Sequence, residues 1–361
     1  MAREIRRNTL NPLATAMAID LIHGYAEGVE PETRTERAVH NVLKRKDPQR
    51  KISRRMTANF AAVPQKIKTQ TFGDIAPGRL RRASDAEVTI AFSQNILPVS
   101  FRDDVHPPEE PNYPAQTVFT VSYTGLYCKD GTGDRGIFGS RDEPYVISSA
   151  VHVDENGENI VRSELHPVGD NDKRYGGMED GKWRSGPIAA CWVGTAKEVS
   201  IVTVVMEHDE GDPDAYREEV EAVIEVAAAI AAANGIPVPD AVKSLVASII
   251  IWVIGSSDDE VGTETIVLNP RWLKLSAPAI KPTFSESRTV LRPVGFMQFI
   301  EETVTDQTDI PYSFISRHDD DGEYVVCYRI TADRDPTTSP AITDVAFNGD
   351  VGRLAFATRR N

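Results

Sequence analysis

The stretch "VSIVTVVMEHDEGDPDAYREEVEAVIEVAAAIAAANG", Val199 to Gly235, changes character twice. It opens as an unbroken apolar run, which reads as a buried strand. Glu207, Asp209, Glu210, Asp212 and Asp214 then follow in quick succession. Crowded carboxylates repel one another unless water or a cation separates them. After the acids the period becomes helical, with Val220, Val223, Ile224 and Ala227 at i, i+3, i+4 and i+7. Asp212 suits an N-cap, Pro213 the first turn and Asn234-Gly235 the stop. "PDAVKSLVASIIIWVIG" repeats the pattern with Val242, Leu245, Val246, Ile249, Ile250 and Val253; Asp240 is expected to cap it and Gly255 to end it. Residues 213–255 therefore read as an αα-hairpin.

Strands are expected on both sides of this hairpin. Before it come "TVFTVSYTGLYC", "YVISSAVHV", "NIVRSEL" and "IAACWVG". "VHVDENGENIV" carries an Asn-Gly pair between two apolar alternations, a β-hairpin signal. After it come "TETIVL", "TVLRPVGFMQFI", "YSFISRHDDDGEYVVCYRI" and "RLAFATR", with "HDDDGEY" read as a hairpin turn. The fold class expected is mostly β: an antiparallel β-sandwich with an inserted αα-hairpin, preceded by a basic, partly helical N-terminal region. The divisions are 1–85 as a basic arm and 86–116 as a strand and Pro-rich linker. Residues 117–270 form the sandwich, and 271–361 a β segment that packs on it or extends it. Within the arm, helices are expected at about 10–25 and 33–46, and extended or poorly ordered chain from 47 to 85.

Charge is unevenly spread along the 361 residues. The first 82 carry 17 Lys+Arg against 8 Asp+Glu; the rest carry 23 against 46. A basic arm on an acidic body suggests an address signal, a packaging signal or a contact in a larger assembly. Aromatics are too sparse in the arm for base stacking, so nucleic acid is disfavoured. No apolar run is long enough to span a bilayer, and the start lacks the apolar core of a signal peptide. The chain reads as cytoplasmic as made, with delivery or export without a cleaved signal left open. Cys128, Cys191 and Cys327 lack metal spacing and fit a reduced compartment.

Three acidic stretches stand at expected strand ends. One is "YCKDGTGDRGIFGSRDEPYVI", with Asp130, Asp134, Asp142 and Glu143; the second holds Glu207 and Asp209; the third is "GSSDDEVGTETIVL", with Asp258, Asp259 and Glu260. Strand alternation sends Glu207 and Asp209 the same way, about 7 Å apart along the backbone. Carboxylates arriving from separate loops make a hard-cation site, since calcium takes six to eight oxygens. In order and chemistry these stretches resemble the calcium-binding loops of the C2 domain, a phospholipid-binding β-sandwich, over about 117–268. The resemblance implies calcium as the cofactor, held by Asp130, Asp142, Glu143, Glu207, Asp209 and Asp259. It also implies an anionic lipid or protein partner. Glutamate stands for aspartate twice, the first loop is longer than in the family, and the helical hairpin interrupts the third.

Other readings stay open. The acidic turns could be solvated loops on a calcium-free sandwich, and Asp130 and Asp134 simple turn formers. The hairpin's apolar stripes could pack on the sheet or on each other. Alternatively Ile251 and Trp252 meet lipid in the interface, as in a membrane-damaging toxin or delivered effector. A metal-dependent hydrolase and a structural or cargo component of a larger assembly are the remaining classes. Nucleophile-elbow, zincin, P-loop and EF-hand patterns are missing from the sequence, so the chain leans away from an enzyme without excluding one.

Overall fold

The computed structural model describes residues 12–73, 84–93, 110–131, 143–154, 156–167, 174–179, 181–208, 212–253, 259–277, 283–295, 298–309, 314–319, 323–337, 342–348 and 353–358. Five helices come first: α1 (Pro12–Glu27), α2 (Arg34–Lys46), α3 (Lys51–Ala62), α4 (Gln65–Phe72) and α5 (Asp85–Ser93). Five strands follow: β1 (Val118–Asp130), β2 (Pro144–Val153), β3 (Asn159–His166), β4 (Lys182–Thr195) and β5 (Val199–Glu207). Then come α6 (Pro213–Asn234), α7 (Val238–Val253), β6 (Asp259–Leu268) and α8 (Pro270–Ser276). The last strands are β7 (Thr283–Gly295), β8 (Gln298–Asp309), β9 (Phe314–Asp319), β10 (Glu323–Ala332), β11 (Ile342–Asn348) and β12 (Arg353–Thr358).

The expectation of a mostly β protein is overturned: the fold is mixed α/β, with a helical N-terminal region and two principal antiparallel sheets. The first sheet is β4-β1-β10, extended at its edge by β9; the second is β3-β2-β5-β6. Phe119, Val121, Tyr123, Leu126 and Cys128 of β1 and Tyr324, Val326, Tyr328 and Ile330 of β10 pack against Val146, Ala150, Ile201 and Val205 of the second sheet. A β-sandwich is thus present as two of three layers.

A third layer accounts for the apolar run Val199–Val205. Val202, Val204 and Met206 of β5, with Tyr145, Ile147 and Val151 of β2, face away from the first sheet into a helical core. A sheet buried on both faces loses the apolar–polar alternation of a solvent-facing sheet. α6 and α7 lie on this face, and α1 to α4 close over them. Val220, Val223, Ile224 and Ala227 of α6 and Val242, Leu245, Val246 and Ile249 of α7 are all buried there.

The N-terminal region is a packed part of this core, so the extended chain expected over 47–85 is corrected at Lys51–Ala62 and Gln65–Phe72, which are helical. Met56 and Phe60, with Ser53, mark the buried stripe of α3, whose charged residues are Lys51, Arg54 and Arg55. Asp47 is buried, and its Oδ2 accepts from Ser53 N at 2.8 Å and Ser53 Oγ at 2.7 Å, holding the first turn of α3. Tyr25 donates its hydroxyl to the Asp47 carbonyl at 2.8 Å. Thr33 and Glu36 form a capping box on α2. The strand expected just after residue 85 is instead α5 at Asp85–Ser93.

The expected hairpin is present as α6 and α7 over Pro213–Val253, and the expected stop Gly255 lies outside the described residues. Asp212 caps α6 by accepting from Asp214 N at 3.1 Å, and Gly235 ends it at φ 66°, where a side chain would be strained. Asp240 lies inside α7 and does not cap it. β2 and β3 form the expected hairpin, but its loop is longer than two residues: Asp154 N donates to Glu158 O at 2.8 Å. β9 and β10 pair across 320–322 as expected of "HDDDGEY". Of the C-terminal β segment, β10 and β9 extend the sandwich. β7–β8 and β11–β12 each form a separate two-stranded sheet.

Candidate functional site

Strand pairing brings the acidic stretches to one end of the sandwich. Glu207 ends β5; its register partners are Asp259, the first residue of β6, and Pro144, the first residue of β2. Glu143 directly precedes Pro144, and its carbonyl accepts from His208 N at 3.3 Å. In the first sheet Asp130 ends β1, opposite Glu323 of β10. The segment 174–181 links the two sheets here, since Tyr175 N donates to Pro144 O and Gly181 N to Cys128 O, both at 2.7 Å. Tyr123 and Tyr175 share a hydroxyl hydrogen bond of 2.7 Å beneath this mouth.

The six expected ligands divide as follows. Glu207 and Asp259 come together across adjacent strands, with Glu143 beside them. Asp130 ends the facing strand of the other sheet. Asp142 and Asp209 lie outside the described residues. Among the described residues, no group of three or more His, Cys, Asp or Glu could hold a metal ion. Glu143 has a protein cation instead: its Oε2 is 2.6 Å from Arg174 Nη1. Neither Arg174 nor Glu323 was singled out from the sequence, because nothing local ties them to the acidic loops.

The hairpin residues are placed differently from the lipid-facing expectation. Ile251 lies in α7, its side chain outside the described set. Trp252 is fully buried in an aromatic nest, 4.7 Å from the Phe72 ring centroid and 6.1 Å from that of Phe60. It faces protein here, not a bilayer. Among the described residues no helix is long and apolar enough to cross a membrane.

A charged clasp joins the N-terminal helices to α6. Lys46 Nζ lies 2.6 Å from Glu221 Oε1 and 2.8 Å from Glu225 Oε1; Arg45 Nη2 is 3.6 Å from Glu225 Oε2. Arg55 Nε pairs with Glu219 Oε1, and its Nη2 donates to Ala215 O at 3.0 Å. Burial pushes the Glu219 carboxyl up to about 7, against the opposing pull of Arg55. The sequence did hold a signal for this pair. Glu219 and Glu225 sit among the apolar positions of α6, where a carboxylate needs a cation.

One Cys–His pair also lies between the sheets, with Cys191 Sγ 4.0 Å from His166 Nε2. Burial lowers the His166 imidazole to about 3 and raises the Cys191 thiol to about 12. Both groups are therefore neutral at physiological pH, and the thiolate a nucleophile needs is not formed. His166 stacks on Tyr123 at 3.9 Å, while Tyr328 OH shares hydrogen bonds with Ser148 at 2.7 Å and Thr203 at 2.6 Å. These contacts fix the two sheets face to face. Comparison with protein-family models, curated proteins and solved structures finds no match to this chain.

Proposed function

We propose that this chain is a binding protein whose acidic sandwich mouth takes a hard divalent cation of the calcium class. The loaded mouth engages an anionic lipid or protein partner. The observation that carries this reading is the register of Glu207 directly opposite Asp259, with Glu143 one position beyond the third strand. Like charges opposite one another across a ladder destabilise it. A divalent ion with oxygen ligands removes that repulsion and matches the carboxylate chemistry. Glu207 and Asp259 would supply part of such a shell and loop oxygens the rest, while Arg174 holds Glu143 in place. The cation would act structurally and as an electrostatic bridge, because a body with 46 acidic against 23 basic residues after Arg82 otherwise repels phosphate and carboxylate partners.

Isothermal calorimetry of the full chain with calcium tests this. The expected result is a saturable heat below millimolar calcium, with a rise in melting temperature that grows with ion concentration. Both effects should be lost in Glu207→Gln and in Asp259→Asn. A flat titration at millimolar calcium, with an unchanged melting temperature, overturns the reading.

A further inference from the structure

Helix α3 carries its charge in an unfavourable arrangement. Lys51, Arg54 and Arg55 stand at i, i+3 and i+4, and the helix contains no acid. Like charges at these spacings repel one another on a helix surface. The wider segment 44–68 holds nine Lys+Arg and one carboxylate, Asp47, which is buried and taken by Ser53. Five of the cations have partners. Arg45, Lys46 and Arg55 pair with glutamates of α6, Arg50 lies over the Tyr25 ring and Lys68 over the Phe60 ring. Lys44, Lys51, Arg54 and Lys66 are exposed and form no ion pair among the described residues.

Packing fixes which way α3 turns. Ser53, Met56 and Phe60 face the core, while Lys51, Arg54, Ala58 and Ala61, at i, i+3, i+7 and i+10, make the opposite, exposed stripe. The helix also sits at a defined end of the molecule. Arg55 Nη2 donates to the carbonyl of Ala215, in the first turn of α6, at 3.0 Å. Asn59 Nδ2 donates to the carbonyl of Val253, the last residue of α7, at 3.0 Å. α6 follows β5, which ends at Glu207, and α7 precedes β6, which begins at Asp259. Chain length alone keeps Val253 within about 21 Å of Asp259. α3 therefore spans the helical layer at the same end as the acidic mouth.

We propose that the outward face of α3, led by Lys51 and Arg54, is a contact surface for an anionic bilayer, acting beside the mouth and without calcium. The proposal rests on the cation reading only for the mouth's share of that contact. Each Lys or Arg held near an anionic leaflet adds to binding, and the lipids of a fluid bilayer can gather beneath the cations. A nucleic-acid duplex is the poorer fit. Its fixed charges, one about every 1.7 Å, would run on from α3 over a body with 46 acidic against 23 basic residues after Arg82. The unloaded carboxylates of the mouth oppose the bilayer as well, so a cation there removes a repulsion and strengthens the contact.

Co-sedimentation of the full chain with phosphatidylcholine vesicles, with and without about a third phosphatidylserine, tests this in chelator and in millimolar calcium. In chelator the wild type is expected to bind the phosphatidylserine vesicles and not phosphatidylcholine alone, and to release them as salt rises. Lys51→Gln and Arg54→Gln should each lower the partition coefficient roughly fivefold, and together about twenty-five-fold. Lys51→Arg should bind like the wild type. Circular dichroism and melting temperature matching the wild type establish that each variant is folded, and the two single variants carry the test should the pair misfold. Glu207→Gln should lose the gain from calcium and keep the binding seen in chelator. A missing calcium gain with α3-dependent binding intact therefore sinks the cation reading and supports this one. A wild type with no preference for phosphatidylserine in chelator overturns the proposal. So does a Lys51→Gln/Arg54→Gln variant that binds normally, or displacement from the vesicles by a short DNA duplex at equal phosphate concentration.

Discussion

Glu219 should make the protein less stable as pH rises through neutrality, and replacing it with Gln should remove that dependence. Its side chain is 1% exposed, paired with Arg55 Nε, and its Oε2 has no hydrogen-bond partner. Burial raises its folded-state value to about 7 from an ordinary 4.5. The folded protein then holds a proton that the unfolded chain releases, so stability falls as pH rises from about 4.5 to 7 and levels off above that. A shift of that size corresponds to about 3 kcal/mol over the whole window, of which about 1.4 kcal/mol falls between pH 6 and pH 8. Other groups titrate as well, so the informative quantity is the wild-type stability minus that of Glu219→Gln at each pH. Urea unfolding at half-unit steps from pH 5 to 8.5 measures it. The difference should decline by about 1.4 kcal/mol from pH 6 to pH 8. Parallel curves, or a wild type that gains on the variant as pH rises, would falsify the claim that burial outweighs the Arg55 pairing.

Three further outcomes follow from the packing. Trp252→Ala empties the nest formed with Phe60 and Phe72 and should cost about 3–5 kcal/mol in urea unfolding, whereas a lipid-facing residue would cost little. Asp47→Ala removes the acceptor for Ser53 N and Oγ at the start of α3 and should cost about 1–2 kcal/mol by the same measurement; a loss under 0.5 kcal/mol would show that water caps the helix equally well. Cys128, Cys191 and Cys327 are buried thiols outside any disulfide, so a thiol reagent should label none in the native protein at pH 8 and all three in denaturant. Rapid native labelling of Cys191 would contradict its raised thiol and its place between the sheets.

The parts of the fold legible in the sequence were those with a strong local period. The α6–α7 hairpin showed its stripe, its Asp212 cap and its Gly235 stop. The strands of the first sheet showed alternation or β-branched runs. α3 and α4 were not legible, because Met56, Phe60 and Phe72 are spaced among basic and polar residues without a sustained apolar stripe, and Arg45, Lys46 and Arg55 of the basic arm pair with glutamates of α6. The acidic stretches were legible as strand ends. The register of β2, β5 and β6 sets Glu207 opposite Asp259 and opposite Pro144, the residue after Glu143, a pairing no local pattern gives. Arg174 came from a distant loop with no local signal.

The order of residues along the chain, through periodicity and caps, determined the strongly periodic elements, such as α6 and β5, and where carboxylates terminate them; α3, α4 and α5 were not among these. Local patterns depend only on which side of a segment is apolar, and so carry no record of what covers it. That "VSIVTVV" is buried by a sheet on one side and helices on the other was decided in three dimensions. So were the burial of Trp252 by the N-terminal helices and the pairing of Glu219 with Arg55. The last two depend on surfaces brought together from more than a hundred residues apart.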